Sequence, residues 1–223
     1  MHNLWSRLIY LAFTEPFIWR AKRRVCALVQ ELEKTRVLEV GCGTCVQGVM
    51  IARKGVVVTG IDLSDRLFPS AKPARLPPSF SFFQADGRDL PFPSGRFDCV
   101  LTSMVLHEMD PPDRIPALRE MIRVLGDDGV LLIMDFDFQL KSDRSPAALL
   151  IRIIETIAGE EHHRNFLNFM AAGGVPSLLQ NLGYKEWKRH PILFDRGGVF
   201  ELRLRRQSGF RLPPDPRHCR RHS

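Results

Sequence analysis

The chain has 223 residues, of which 44% are hydrophobic and 26% charged, and a formal net charge of +7. These fractions exclude a disordered, collagen-like or coiled-coil chain, and the length favours one large α/β domain with small additions. Five basic residues and one acid give residues 1–25 a charge of +4, and seven arginines and one aspartate give residues 203–223 a charge of +6. Residues 26–202 carry −3. Because the body is mildly acidic, we expect no nucleic-acid partner.

We expect a cytoplasmic protein with reduced thiols. The most apolar N-terminal run, Leu8–Trp19, contains Glu15 and Pro16 and is shorter than the roughly 20 residues that a membrane span needs. It also lacks the cleavage pattern of a secretory signal. Five cysteines are an odd number, and a chain of this length can bury a core without disulfides.

Taken in chain order, the pattern predicts a helical cover at residues 1–30 and then a domain at 31–206. Short apolar runs alternate with helical stretches, one reaching Ala52 and another running from Pro111 to about Leu125, where Gly126–Gly129 should end it. Such alternation predicts a parallel sheet buried between helices. The strands are predicted at 36–40, 56–61, 79–84, 97–102 and 130–134.

The pattern changes beyond residue 141. Residues 145–158 and 160–182 look helical, with a break at Gly173–Gly174, and we interpret 141–182 as a helical substrate cap. Two alternating runs, 184–193 and 199–206, predict a C-terminal antiparallel hairpin. The expected fold class is therefore α/β, with a doubly wound, mostly parallel, seven-stranded Rossmann-like sheet. Residues 207–223 read as a flexible basic tail.

Candidate binding residues follow four of the predicted strands, at the edge where open α/β sheets bind ligands. Gly41 and Gly43 let the backbone approach a ligand closely, and the next helix offers free N–H groups. Asp62 could accept hydrogen bonds from a ribose diol, and Asp86 could accept them from an exocyclic amine. These residues predict a pocket for an adenosine-containing ligand.

The glycine spacing discriminates between ligands. A dinucleotide fold needs Gly or Ala where Val46 stands, and no P-loop is present. The segment Glu39–Cys45, an E-x-G-x-G pattern, resembles motif I of the class I S-adenosylmethionine-dependent methyltransferases. The likeness continues through 60–64, 84–87 and 90–107, in order, and is strongest to the small-molecule branch that includes quinone-biosynthesis C-methyltransferases.

The resemblance implies S-adenosylmethionine as the cofactor and assigns a role to each matching residue. Glu39 and the glycine turn would hold the methionine end. Asp62 would hold the ribose with Leu63 against the adenine, and Asp86 would contact the adenine amine. Ser103 would lie near the sulfonium. One departure is Cys45, which stands where the family has a third glycine. The cofactor residues implied are Glu39, Gly41, Cys42, Gly43, Asp62, Leu63, Asp86, Gly87 and Ser103.

Three other features allow alternatives. Cys42 and Cys45 form a C-x-x-C pair, but a redox or zinc site needs a second ligand pair or a thioredoxin-like context. His107 could act as a catalytic general base, or it could order its loop by bonding to backbone. His162 and His163 resemble metal-ligand material, but an exposed polar helix start is the favoured interpretation, and we expect no metal.

The sequence thus predicts transfer of a methyl group to a small-molecule or lipid-like acceptor. One alternative is a non-catalytic S-adenosylmethionine-binding module. Another is a quinone or phospholipid methyltransferase at a membrane surface, since aromatic and basic residues mix over 4–24 and permit peripheral membrane contact. A nicotinamide oxidoreductase is disfavoured by Val46. The acceptor and the oligomeric state cannot be read from the sequence.

Overall fold

A computed structural model describes residues 4–65, 76–138 and 142–204, with side chains described from residue 18 onward. The predicted tail at 207–223 lies outside these ranges. The helices are α1 (Leu4–Glu31), α2 (Val46–Ala52), α3 (Pro111–Arg123), α4 (Pro146–Ile157), α5 (Glu160–Ala171) and α6 (Gly174–Asn181). The strands are β1 (Arg36–Val40), β2 (Val57–Asp62), β3 (Phe80–Gln84), β4 (Phe97–Ser103), β5 (Leu125–Phe136), β6 (Lys188–Ile192) and β7 (Gly197–Arg203).

The seven strands form one sheet in the order β3-β2-β1-β4-β5-β7-β6. The first five are parallel, and β7 is antiparallel to both of its neighbours. In β1, Val37 and Leu38 point to opposite faces and both are fully buried, as expected for a sheet covered by helices on both sides. The predicted fold class, with its C-terminal antiparallel hairpin, is confirmed.

The register of the parallel strands determines where the candidate site lies. Val40 of β1 pairs with Ile61 of β2 and with Thr102 of β4, so the three strands end at the same edge of the sheet. The loops that follow these ends are therefore neighbours in space. This edge is where the candidate residues were predicted.

The start of β5 differs from the prediction. The Gly126–Gly129 segment was expected to end a helix, but it lies inside a 12-residue strand. Leu125 already pairs with Phe97, and the register then shifts before Cys99 pairs with Val130. The early part of β5 is defined by its pairing with a distant strand and by a register shift, and neither produces a local hydrophobic pattern. The sequence therefore predicted a shorter strand.

The helices of segment 141–182 pack into two different hydrophobic clusters. Ile151 of α4 and Phe166 of α5 pack with Phe136 in a small separate cluster beyond the end of β5. Val175 and Leu179 of α6 instead belong to the main core. Over the described residues, every helix is too short or too polar to cross a membrane.

Candidate cofactor and acceptor site

A cavity of about 440 Å³ opens at the carboxyl edge of β1, β2 and β4. All but one of the residues that the resemblance assigned to the cofactor line it. The exception is Glu39, which is 2% exposed and faces α2, where a Cβ added to Gly48 would lie 2.5 Å from its Oε2. Glu39 therefore lies between β1 and α2, outside the lining of the cavity. The lining residues from the prediction are Gly41, Cys42, Gly43, Asp62, Leu63, Asp86, Gly87 and Ser103.

The glycine turn after β1 uses backbone conformations that favour glycine. Gly41 has φ 75° and Gly43 φ 49°, and a Cβ on Gly41 would lie 2.5 Å from Cγ2 of Val105. The N–H groups of Gly41 and Cys42 both donate to the carbonyl of Ile61 at 2.9 Å. The turn is thus fastened to β2, and its missing side chains leave room at the cavity.

The redox state of the two cysteines in the turn differs from the prediction. The structure joins Cys42 and Cys45 as a disulfide, with Cα atoms 4.6 Å apart, whereas we expected reduced thiols. Cys45 has φ 55°, the left-handed conformation that the family's third glycine would adopt freely and that costs another residue about 1 kcal/mol. The tight turn brings the two sulfurs together. Cys26 and Cys99 are free and buried.

Asp62, at the end of β2, holds the glycine turn as well as facing the cavity. Its Oδ2 accepts a hydrogen bond of 2.8 Å from the N–H of Gly43, and its Oδ1 accepts one of 3.0 Å from the N–H of Ser64. Each carboxylate oxygen has a second lone pair, so the group can still accept bonds from a diol. Leu63 beside it is 66% exposed and offers an apolar surface for a ring.

Asp86 has a partner that the sequence analysis did not anticipate. Nη2 of Arg88 lies 2.7 Å from Oδ2 of Asp86, and Nη1 of the same guanidinium lies 2.8 Å from Oδ2 of Asp113. Arg88 and Asp113 also line the cavity. An adenine amine at Asp86 would therefore share this carboxylate with Arg88.

Ser103 ends β4 at the inner wall of the cavity. Its Oγ is buried and has no hydrogen-bond partner among the described residues. A buried hydroxyl usually has one, because an unmade bond costs about 1–3 kcal/mol. This orphaned atom fits a polar ligand in the cavity.

His107, the predicted base, is fully buried and is not among the cavity-lining residues. Its Nδ1 lies 2.7 Å from Oδ1 of Asp135, and its Nε2 lies 3.6 Å from Oε2 of Glu155. Burial lowers the pKa of His107, but the carboxylates of Asp135 and Glu155 outweigh that effect and raise it to about 9. Glu155 and Glu108, not His107, face the acceptor side of the cavity.

The two adjacent histidines of α5 contact different residues. Nε2 of His162 is hydrogen-bonded to Oε2 of Glu155, while His163 turns toward Thr156. The sequence analysis missed Glu155 and Asp135, although both left a signal. Glu155 interrupts an apolar helical run, and Asp135 follows an apolar strand.

Comparison with known proteins agrees with this geometry. Residues 37–129 match the family described as "Methyltransferase domain". The chain is 31% identical over 139 residues to a demethylmenaquinone methyltransferase of Thermus thermophilus, covering 60% of each chain. It is 35% identical over 130 residues to the 27-O-demethylrifamycin SV methyltransferase of Amycolatopsis mediterranei, covering 56% of this chain and 47% of the relative.

A solved structure shares the fold. It is the 1,6-didemethyltoxoflavin-N1-methyltransferase of Burkholderia thailandensis, with a TM-score of 0.57, 18% identity, and coverage of 90% of this chain and 89% of that one. The chain spans about half the length of the curated relatives that it matches.

The matched segment, residues 37–129, is similar to a methyltransferase domain and contains the glycine turn, Asp62, Asp86 and Ser103. The chain as a whole shares its fold with a solved methyltransferase.

Proposed function

We propose that the protein transfers a methyl group from S-adenosylmethionine to a small-molecule acceptor. The observation that carries this proposal is the arrangement of eight predicted cofactor residues around one cavity at the carboxyl edge of the sheet. The glycine turn and Asp62 would hold the methionine and ribose portions. Leu63 and Asp86 would contact the adenine.

The main task of the residues that line the cavity is to position the two reactants. Bound S-adenosylmethionine supplies a methyl group that its sulfonium has already activated. The chain must therefore align a nucleophile with that methyl group and exclude water. Ser103 and Met104 line this cavity together with Ile18 of α1 and Ile154 of α4.

The acceptor side of the cavity combines apolar and acidic side chains. Met104, Phe136, Ile151 and Ile154 supply an apolar wall, and Glu108 and Glu155 supply carboxylates. This lining supports an acceptor with an apolar ring or chain and a protonated nucleophile, such as a hydroxyl, next to the two carboxylates. The named substrates of the two curated relatives are also small molecules.

Calorimetry with S-adenosylhomocysteine, followed by transfer of a labelled methyl group to a panel of phenols, quinols and hydroxylated lipids, tests the proposal. Binding in the micromolar range and turnover on one acceptor class are expected. Binding without turnover on any acceptor would favour the non-catalytic module. A folded protein that binds no S-adenosylhomocysteine would overturn the proposal.

A second candidate is methylation of an acceptor at a membrane surface. On α4, Leu149, Leu150, Ile153 and Ile157 form an exposed apolar row, and each is at least 44% exposed. The helix α1, which carries the exposed Trp19, packs against α4. Co-sedimentation with anionic vesicles tests this, since Ile153→Asp should abolish binding if the row inserts. Equal sedimentation of the variant and the wild type would remove this candidate.

A further inference from the structure

Five titratable side chains meet beneath α4 and α5, beside the acceptor end of the cavity. Three are carboxylates and two are imidazoles, and they come from four separate parts of the chain. The five are His107 and Glu108 after β4, Asp135 of β5, Glu155 of α4 and His162 of α5.

Each histidine of this cluster is oriented by one carboxylate. Nδ1 of His107 lies 2.7 Å from Oδ1 of Asp135, and Nε2 of His162 is bonded to Oε2 of Glu155. The remaining ring nitrogens both face Glu108, whose Oε1 lies 4.0 Å from Nε2 of His107 and 3.8 Å from Nδ1 of His162. A carboxylate behind each histidine is the usual arrangement around histidines that bind metal ions.

The second, independent observation is an orphaned nitrogen. The His107 side chain is 0% exposed, and its Nε2 has no hydrogen-bond partner among the described residues. Oε2 of Glu155 is 3.6 Å away, which is too long for a hydrogen bond. Burying such a nitrogen without a partner costs free energy. We therefore expect that Nε2 of His107 contacts a ligand bound within the cluster.

The charge of the cluster indicates what that ligand is. Asp135 and Glu155 have side chains no more than 1% exposed, and Glu108 adds a third carboxylate. Buried carboxylates need pairing with positive charge or coordination to a metal ion. Even with a proton on His107, the three carboxylates leave an excess of negative charge that one divalent cation would offset.

We propose that His107, His162 and Glu108 bind a divalent transition-metal ion, with Asp135 and Glu155 orienting the two histidines. One ligand atom from each of the three lies within 4.8 Å of the others. Metal–ligand bonds of about 2.0–2.2 Å place ligand atoms roughly 3–3.5 Å apart, so the three atoms must draw closer by up to about 1.5 Å. Glu108 can supply part of that movement, because its side chain is 44% exposed, and the rest requires the two histidine rings to approach each other.

Two imidazoles and one carboxylate suit ions such as Zn²⁺, Mn²⁺, Fe²⁺ or Co²⁺ and leave coordination positions open. Glu108 and Glu155 line the cavity, so the open positions would face the acceptor. In this respect the inference rests on the proposed function: an oxygen of the acceptor could bind the ion there and lose its proton more readily. His107 would then act as a ligand rather than as a general base.

The test uses the full chain after treatment with a chelator and dialysis. Co²⁺ is titrated while its visible absorption is followed, and Zn²⁺ binding is measured by calorimetry. We expect one ion per chain. His162→Ala should weaken binding at least tenfold, and the matched variant His163→Ala, from the adjacent position of α5, should bind like the wild type. Glu108→Gln, which changes a half-exposed side chain, should also weaken binding.

Binding of S-adenosylhomocysteine by the same variants separates this inference from the proposed function. The affinity for this nucleoside should be unchanged in His162→Ala, since no residue of the glycine turn is altered. A wild-type chain that binds the nucleoside but no ion would overturn the metal site alone. An ion bound equally well by His162→Ala would also overturn it, because the ion would then lie elsewhere, for instance on the histidines of the terminal segment.

Discussion

The backbone N–H of Gly43 donates a 2.8 Å hydrogen bond to Oδ2 of Asp62, 19 residues further along the chain. The acid after β2 therefore shapes the glycine turn after β1 before any ligand binds. Removal of Asp62 would affect both the methionine end and the ribose end of a bound cofactor, because the turn and the carboxylate form one unit.

Asp62→Ala should weaken binding of S-adenosylhomocysteine about tenfold to a hundredfold. Hydrogen bonds to a charged group contribute about 1.5–3 kcal/mol, and the turn also loses its fastening. Asp62→Asn keeps one acceptor oxygen and should lose less. Calorimetry measures the affinities, and circular dichroism confirms that the variants are folded.

The control for this prediction is Asp65→Ala. Asp65 is exposed three residues further on and is not among the residues that line the cavity. Its variant should bind the nucleoside like the wild type. If folded Asp62→Ala also binds with undiminished affinity, the assignment of the cofactor site is wrong.

Asp86 can bind adenine directly or act by holding Arg88, and a pair of variants separates the two roles. Asp86→Asn should weaken binding about tenfold or more if the carboxylate accepts the adenine amine. Asp113→Asn removes the other partner of Arg88 and should change affinity less than about fivefold, since exposed ion pairs contribute at most about 1 kcal/mol. Equal losses in the two variants would mean that Asp86 acts through Arg88.

Gly48→Ala should destabilise the protein, although alanine normally stabilises a helix by about 1 kcal/mol over glycine. The added Cβ would lie 2.5 Å from Oε2 of Glu39 and 2.7 Å from Cε2 of Phe80. Relieving such crowding typically costs about 1–3 kcal/mol and would displace α2 from the turn. Urea unfolding measures the change. A rise in the free energy of unfolding would show that Glu39 and Phe80 make room for the added Cβ at little cost.

Local patterns were sufficient to predict most of the fold and most of the candidate residues that line the cavity. Strand runs ending in glycine or aspartate put Gly41, Asp62 and Asp86 at one edge, and the parallel register brings these ends together. The acceptor side depends on contacts across the chain. No spacing in the sequence shows that Glu155 of α4 meets His107, or that the latter is buried.

The same reasoning explains the other departures. The resemblance predicts that Glu39 holds the methionine end of the cofactor; in the structure Glu39 is not among the residues that line the cavity, and its Oε2 lies next to Gly48 of α2. The early start of β5 depends on pairing between Leu125 and Phe97, which are 28 positions apart. Both features depend on tertiary packing, which cannot be predicted from the pattern of neighbouring residues.

Glu201 of β7 should make the stability of the fold depend on pH in the acid range. Burial raises the pKa of Glu201, but hydrogen bonds from His190 at 2.9 Å and Arg203 at 2.6 Å outweigh it and lower the pKa below its usual 4.5. A carboxyl whose pKa is lowered by folding stabilises the protein above the unfolded pKa. That contribution is lost as the pH falls through the lower, folded pKa.

Glu201→Gln should therefore reduce the free energy of unfolding by about 1–3 kcal/mol at pH 7. The difference from the wild type should begin to shrink below about pH 4.5, where the carboxyl of the unfolded chain takes up a proton, and should be lost once the pH falls through the lower pKa of the folded state. Urea unfolding at a series of pH values measures both curves, with Glu186→Gln at an exposed position as the control. A difference that stays constant from pH 7 to pH 3 would show that the lost stability comes from packing, and that the charge of Glu201 contributes nothing.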